Sequence, residues 1–240
     1  MKTTSALETT LTISEVFGPT FQGEGRSFGK RAAFIRLGGC NLSCSWCDTP
    51  YTWDAKRYDL RREMSRASVD HIIGQVERMR PDVVVITGGE PLLQQGQPAW
   101  MRLLSGLSNV EIETNGTVTP SVFTEAYVAF FTVSPKLANS GDPETMRLRP
   151  ETLARYAGLS RRDNRAVLKI VVTCEEDVAA AAGLAAEYDW PLRNVYVMPE
   201  GTTAEKVVAG AQALAEAALF HGVGMTTRLQ VLAWGAERGR

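Results

Sequence analysis

Histidine and cysteine are scarce in this chain, with two of the first and four of the second among 240 residues. Three of the four cysteines fall within eight positions, which excludes a disulfide framework and points to a reducing compartment. His71 and His221 both fall in helical patterns and read as surface or capping residues rather than ligands. No stretch approaches the roughly eighteen consecutive apolar residues of a membrane span. The opening Met1-Lys2-Thr3-Thr4-Ser5 is polar and lacks the apolar core of a signal peptide. Charge of one sign is missing too: 26 Lys and Arg stand against 27 Asp and Glu, for a net charge of −1. That balance gives no electrostatic case for binding nucleic acid. No Pro/Gly/Ser-rich linker or internal repeat divides the chain. The expectation is one cytoplasmic domain spanning residues 1–240.

What is present is an alternating pattern. Hydrophobic residues at 44% and charged residues at 22% are ordinary for a globular domain. Short apolar runs at 32–37, 82–87, 110–113, 129–133, 167–172, 194–197 and 227–231 read as strands. Helical patterns lie between them at about 68–79, 99–107, 120–127, 150–156, 175–188 and 203–220. Strands separated by crossovers of this length pair in parallel, with helices outside. Six or seven such units fall short of an eight-fold barrel. The fold class is therefore α/β, a partial, open parallel β/α barrel of about six strands over residues 31–240. About the first 30 residues form a separate N-terminal segment, whose stretch 15–25 reads as a loop beyond its start.

The cysteine loop carries the strongest chemical signal. Cys40, Cys44 and Cys47 follow the pattern Cys-x3-Cys-x2-Cys, and Trp46 directly precedes the third. Three thiolates in one short loop suit an iron–sulfur cluster or zinc. A structural zinc site needs a fourth ligand, and the only other cysteine, Cys174, stands about 130 residues on. Cys174 opens a helix and reads as a small buried side chain.

In barrels of this kind, functional residues gather where strands end. Here the cysteine loop, Gly88-Gly89-Glu90-Pro91, Glu113-Thr114-Asn115-Gly116, Ser134-Pro135-Lys136 and Met198-Pro199-Glu200-Gly201 each close a candidate strand. Each has a plain and a functional reading. The two glycines form a turn into a helix, or let backbone approach a ligand. Arg36 alternates with Ile35 and Leu37, so it needs an anionic partner: a core pair with Glu113, or a substrate carboxylate. Gln22, Gly23 and Glu24 make a surface turn, or a loop that reads the edge of a heterocycle. Thr49 caps a helix, or offers a hydroxyl to Mg²⁺. Lys136 is a solvated lysine, or a partner for a carboxylate.

The cysteine loop closely resembles that of the radical S-adenosylmethionine (SAM) superfamily. With Phe17-Gly18-Pro19-Thr20-Phe21-Gln22-Gly23-Glu24-Gly25 before it and Cys47-Asp48-Thr49 at its end, the chain resembles that superfamily's 7-carboxy-7-deazaguanine synthase family. The matching segments run from residue 15 to 136 and recur weakly at 168–172 and 234–235. The resemblance implies a lyase of queuosine biosynthesis that contracts the ring of 6-carboxy-5,6,7,8-tetrahydropterin, with loss of ammonia and SAM regenerated. It implies that Cys40, Cys44 and Cys47 hold a [4Fe–4S] cluster with one iron open to SAM. Trp46, Cys47, Asp48, Gly89, Glu90, Ser134, Pro135, Lys136, Met198, Pro199, Glu200 and Gly201 would bind SAM. Phe21, Gln22, Gly23, Glu24, Arg36, Thr87 and Glu113 would hold the pterin, and Thr49 a Mg²⁺. A flavodoxin- or ferredoxin-type electron donor and a homodimer are expected from the family. The family's Gln-x-His near the C-terminus is absent, since Val231 and Leu232 follow Gln230. The rival expectations are an activase that generates a glycyl radical on a partner enzyme, and a non-catalytic metal-binding protein.

Overall fold

The computed structural model describes residues 9–235 and 237–240. The opening Met1 to Ser5, read above as a polar start, lie outside the described residues. Among the described residues nine strands form one sheet: β1 (Thr10–Phe21), β2 (Arg31–Leu37), β3 (Ser65–Ser68), β4 (Val83–Gly88), β5 (Val110–Thr114), β6 (Phe130–Val133), β7 (Ala166–Val172), β8 (Val195–Pro199) and β9 (Gly224–Met225). Their order is β3-β1-β2-β4-β5-β6-β7-β8-β9. From β2 to β9 every pairing is parallel, while β1 runs antiparallel to both β2 and β3. The two edges do not pair, so the barrel is open, as the alternating pattern predicts.

Why these residues form these elements is visible in β4, whose Val-Val-Val-Ile-Thr is buried throughout because both faces are covered. On the outer side of the sheet the helix Val69–Met79 packs on β1 and β2. That helix starts where Ser68 accepts the His71 N–H, buries Val69, Ile72 and Val76 on one stripe, and stops at Arg80 in a left-handed turn. Ala33, Ile35, Leu37, Val84, Ile86 and Ile112 point outward into the main core with Trp100 and Tyr156. Every second residue points inward. Ala32, Phe34, Val83 and Val85 form an apolar plug at the floor of the barrel, with Phe17 packed against it. Above that plug the inward positions turn polar.

Two segments differ from expectation. Residues 15–25 are largely strand: β1 runs to Phe21, with register irregularities between Ile13 and Glu15 and between Phe17 and Thr20. Those irregularities, around Gly18-Pro19, break the period-two pattern that makes a strand legible. The run 227–231 is not a strand. The last strand is Gly224–Met225, and Leu229–Trp234 is a short helix. An apolar run this short fits either period, so its packing decides. Cys174 is exposed, not buried, at the N-cap of the helix Glu175–Glu187. His71 is exposed on its helix, as expected. No helix among the described residues is long and apolar enough to cross a membrane.

Candidate active site

Sheet register builds the site. Arg36 lies opposite Thr87 on neighbouring strands, and Glu113 opposite Thr132, so successive inward positions from β2 to β7 share one level. These side chains, the cysteine loop and the C-terminal segment enclose a cavity of about 350 Å³. Cys40, Cys44, Cys47, Trp46, Asp48 and Thr49 line it from the cysteine loop. Phe21, Gln22, Gly23, Glu24, Arg36, Thr87 and Glu113 line it from β1, the loop after it and inward positions of β2, β4 and β5, and Gly89, Ser134, Lys136, Met198, Glu200 and Gly201 line it as well. The strand-end segments singled out in the sequence therefore do meet in one place.

The cysteine loop is pinned by its neighbours. Ser45 donates its N–H to Ser140 O at 2.9 Å, and Ser43 gives both N–H and hydroxyl to Asp142. Asn41 donates to Thr117 Oγ1 and accepts from Asn115 Nδ2. Beneath it, Gly89 is required by close approach: a Cβ there would lie 2.2 Å from Gly39 O and 2.7 Å from the Cys40 Cβ. The thiols receive hydrogen bonds as well, from Leu42 N to Cys40 Sγ at 3.5 Å and from Trp53 Nε1 to Cys47 Sγ at 3.4 Å. Burial pushes the Cys40 thiol up to about 11 and the Cys44 thiol to about 12. A metal that takes them as thiolates must displace those protons.

Among the described residues no three His, Cys, Asp or Glu side chains group closely enough for a single ion. A cubane cluster spreads its thiolates over separate irons, so its ligands stand farther apart than those of one ion. Three soft donors lining one cavity, with N–H groups aimed at two of the sulfurs, fit such a cluster. They do not fit structural zinc, which lacks a fourth ligand here.

Lys136 extends along the wall. Its ammonium donates to Ser134 O at 2.9 Å and Ser134 Oγ at 3.0 Å, and lies 5.5 Å from the centre of the Trp46 ring. Thr49 precedes the 3-10 turn Pro50–Thr52, yet its side chain makes no capping bond. Its hydroxyl sits 3.8 Å from Cys47 Sγ and faces the cavity.

Some expectations are corrected. Glu90 does not reach the cavity: its carboxylate is buried and accepts from Leu92 N, Asn115 N and the Thr114 hydroxyl. It caps the turn Pro91–Gln94 and ties β5 to it, a geometric task that the residue pattern alone does not disclose. Pro135 and Pro199 also lie outside the cavity lining, their neighbours being the residues that face it. Arg36 and Glu113 do not pair with each other. Arg36 Nε donates to Glu15 at 2.7 Å, while Glu113 accepts from Thr87 Oγ1 at 2.9 Å and Gln22 Nε2 at 3.1 Å.

Residues that the strand-end logic missed complete the site. Lys169, buried on β7, pairs with Glu24 and lies 3.8 Å from Glu113. Arg228 and Gln230 bond the same Glu24 from the C-terminal segment. Burial alone would raise the Glu24 carboxyl, but Lys169 and Arg228 overcome it and hold Glu24 well below the usual carboxylate range. Lys169 had a signal in the sequence, a charge at an inward position of an otherwise apolar strand. Arg228 had none.

The family described as the radical SAM superfamily matches residues 34–214. The chain is 31% identical over 233 residues to the 7-carboxy-7-deazaguanine synthase of Pyrobaculum aerophilum, covering 95% of this chain and 96% of that one. It is 36% identical over 201 residues to that of Hyperthermus butylicus, covering 82% and 80%. Among solved structures, QueE from Escherichia coli superposes with a TM-score of 0.64 at 28% identity, over 90% of this chain and 93% of that one.

Proposed function

The chain belongs to the radical SAM superfamily and to its 7-carboxy-7-deazaguanine synthase family, and from that premise we propose how its cavity divides the work. It is a radical SAM enzyme, with a [4Fe–4S] cluster and SAM as cofactors. The substrate proposed for it is 6-carboxy-5,6,7,8-tetrahydropterin, contracted to 7-carboxy-7-deazaguanine with loss of ammonia. When bound, cluster and SAM supply a 5′-deoxyadenosyl radical, the hydrogen-abstracting agent of the reaction.

Cys40, Cys44 and Cys47 would hold the cluster, and the N–H groups of Leu42 and Trp53 donate to the Cys40 and Cys47 sulfurs. Lys136 offers its ammonium to the SAM carboxylate, with Ser134 and Trp46 fixing its position. Asp48, Gly89, Met198, Glu200 and Gly201 contribute the rest of that surface. On the substrate side, Glu113 is aimed into the cavity by Thr87 and Gln22, and accepts hydrogen bonds from the donor edge of a pterin. Arg36 spends only its Nε on Glu15 and presents its terminal nitrogens to the substrate carboxylate. Thr49, beside Cys47, is the proposed Mg²⁺ ligand. Phe34 and the plug beneath it keep water from the floor.

The observation that carries this reading is that one cavity of about 350 Å³ is lined both by the three cysteines and by Arg36, Thr87 and Glu113. A glycyl-radical activase would give no reason for Gln22, Glu24, Arg36 and Thr49 to line the same cavity as the cysteines. The reductant proposed is a flavodoxin- or ferredoxin-type protein in a cytoplasmic setting, acting on a homodimer. The test is anaerobic reconstitution followed by SAM, reductant and 6-carboxytetrahydropterin, with product mass as readout. A carboxylated deazaguanine is the expected product. A fully loaded cluster that yields none overturns the proposal.

A further inference from the structure

Arg228 occupies a position that none of the assigned site residues explains. Its guanidinium donates from Nε to Glu24 Oε1 at 3.1 Å, from one terminal nitrogen to Gly201 O at 2.8 Å, and from the other to Asp48 Oδ2. The three acceptors come from three separate segments: the loop after β1, the turn after β8, and the end of the cysteine loop. The arginine's side chain is only 12% exposed, whereas that of Asp48 is 44% exposed. The segment carrying Arg228 is itself stitched to the first loop. Leu229 N donates to Gly23 O at 2.9 Å, Gly25 N to Thr226 Oγ1 at 2.9 Å, and Gln230 Nε2 to Glu24 Oε1 at 2.8 Å. Gly23 admits this seam because a Cβ there would fall 1.6 Å from Gln230 Oε1.

Beyond Glu24 the chain of charges continues through Lys169 to Glu113. An unbroken alternation, Asp48, Arg228, Glu24, Lys169, Glu113, thus runs from the proposed cofactor surface of the cavity to the proposed substrate surface. Of these five, Arg228 is the one that bonds both Asp48 and Glu24.

We propose that Arg228 is a positioning residue that couples the two halves of the site, so that SAM and the pterin-type substrate each tighten the binding of the other. The inference rests on the division of the cavity proposed above. A planar guanidinium satisfies three acceptors in one geometry only, and losing one leaves a largely buried charge short of a partner. The fork therefore forms as a unit. A ligand that orders Asp48 and Gly201 fixes the fork, and the fork fixes Glu24 and the loop at Gly23 before the second ligand arrives. The entropy of ordering is then met once for two ligands, and by linkage the effect is the same in either order of addition.

The test uses the full chain with its cluster reconstituted and left oxidised, so that no turnover occurs. Equilibrium dialysis gives the Kd of SAM with and without saturating 6-carboxytetrahydropterin, and the Kd of the pterin with and without SAM. The wild-type protein is expected to show about a tenfold tightening in both directions. Arg228→Lys keeps the charge but not the fork, and its ratio is expected to fall towards one. Asp48→Asn, changed at the exposed edge of the fork, is expected to lose part of the coupling and guards against a misfolded arginine variant. Iron content and a thermal melt establish that each variant is loaded and folded. Wild-type binding of both ligands without mutual effect overturns the inference, and so does undiminished coupling in Arg228→Lys with Asp48→Asn. Wild-type protein that binds SAM but no pterin instead overturns the substrate reading, and this inference with it.

Discussion

Single side chains in this site are held by neighbours that a substitution cannot ignore. Gly89 is the clearest, since any Cβ there would overlap the backbone of Gly39 and the Cβ of Cys40. Neither contact is the far end of a flexible side chain, so the cysteine loop itself must move. Gly89→Ala should cost about 1–3 kcal/mol and leave Cys40 misplaced. Iron and sulfide content after reconstitution should fall well below wild type, and equal loading would refute the argument. Lys169 makes a complementary case. It is the buried cation between Glu24 and Glu113, and Lys169→Met would leave Glu24 with Arg228 as its charged partner and the Gln230 amide beside it. Breaking one side of a buried pair costs about 3–5 kcal/mol, chiefly by stranding the other charge. Urea denaturation should show that loss, and adding Glu24→Gln should recover part of it. A double variant no more stable than Lys169→Met would show that the stranded carboxylate is not the source.

At the level of elements, the parallel strands up to β8 and the helices between them were legible because they are long enough to display their period. β4 is apolar on both faces, and the helix Val69–Met79 has one buried stripe between a serine cap and a left-handed stop. The site residues on strand ends, such as Arg36, Thr87 and Lys136, were legible for the same reason: charge and hydroxyl interrupt apolar runs. What was not legible depends on chain segments far apart. The strand β1 hides behind its register irregularities, and the helix Leu229–Trp234 is defined by what it packs on. Arg228 and Gln230 become site residues only because that segment returns to the loop at Gly23, about 200 residues earlier. Glu90 shows the reverse, a motif carboxylate whose buried bonds to β5 turn it away from the cavity. The short C-terminal helix also supports a prediction. Trp234 stacks on Phe21 with ring centres 6.0 Å apart, and Phe21 lines the cavity among the proposed substrate residues. An aromatic pair contributes about 0.5–1.5 kcal/mol, so Trp234→Ala should raise the KM for pterin about threefold to tenfold. Because the SAM site proposed above is formed by other residues, its affinity should stay within about twofold. An equal loss for both ligands would mean that the helix holds the whole cavity rather than one wall.

For the whole molecule, the carboxyl group that decides how stability varies near neutral pH is Glu90. It is fully buried, and burial pushes it from 4.5 up to about 7, opposed by the N–H groups of Asn115 and Leu92, the Thr114 hydroxyl and Lys136. Its unfolded-state value is the ordinary one. Between about pH 5 and pH 7 the folded chain therefore keeps a proton that the unfolded chain has released. The stabilisation is complete below the unfolded value and is lost as pH rises through 7. The gap corresponds to on the order of 3 kcal/mol at most. Glu111, also raised by burial, acts in the same sense. Glu24 does not oppose them in this window, because its carboxyl is lowered and its contribution is already complete above the ordinary carboxylate value. Cys40 and Cys44, at about 11 and about 12, keep their protons throughout. Urea unfolding of the cluster-free protein should thus give a free energy that falls steadily from pH 5 to pH 7.5 and then levels. A profile that is flat or rises across that interval would mean that Glu90 is ionised in the fold at a cost its three hydrogen-bond donors fully offset.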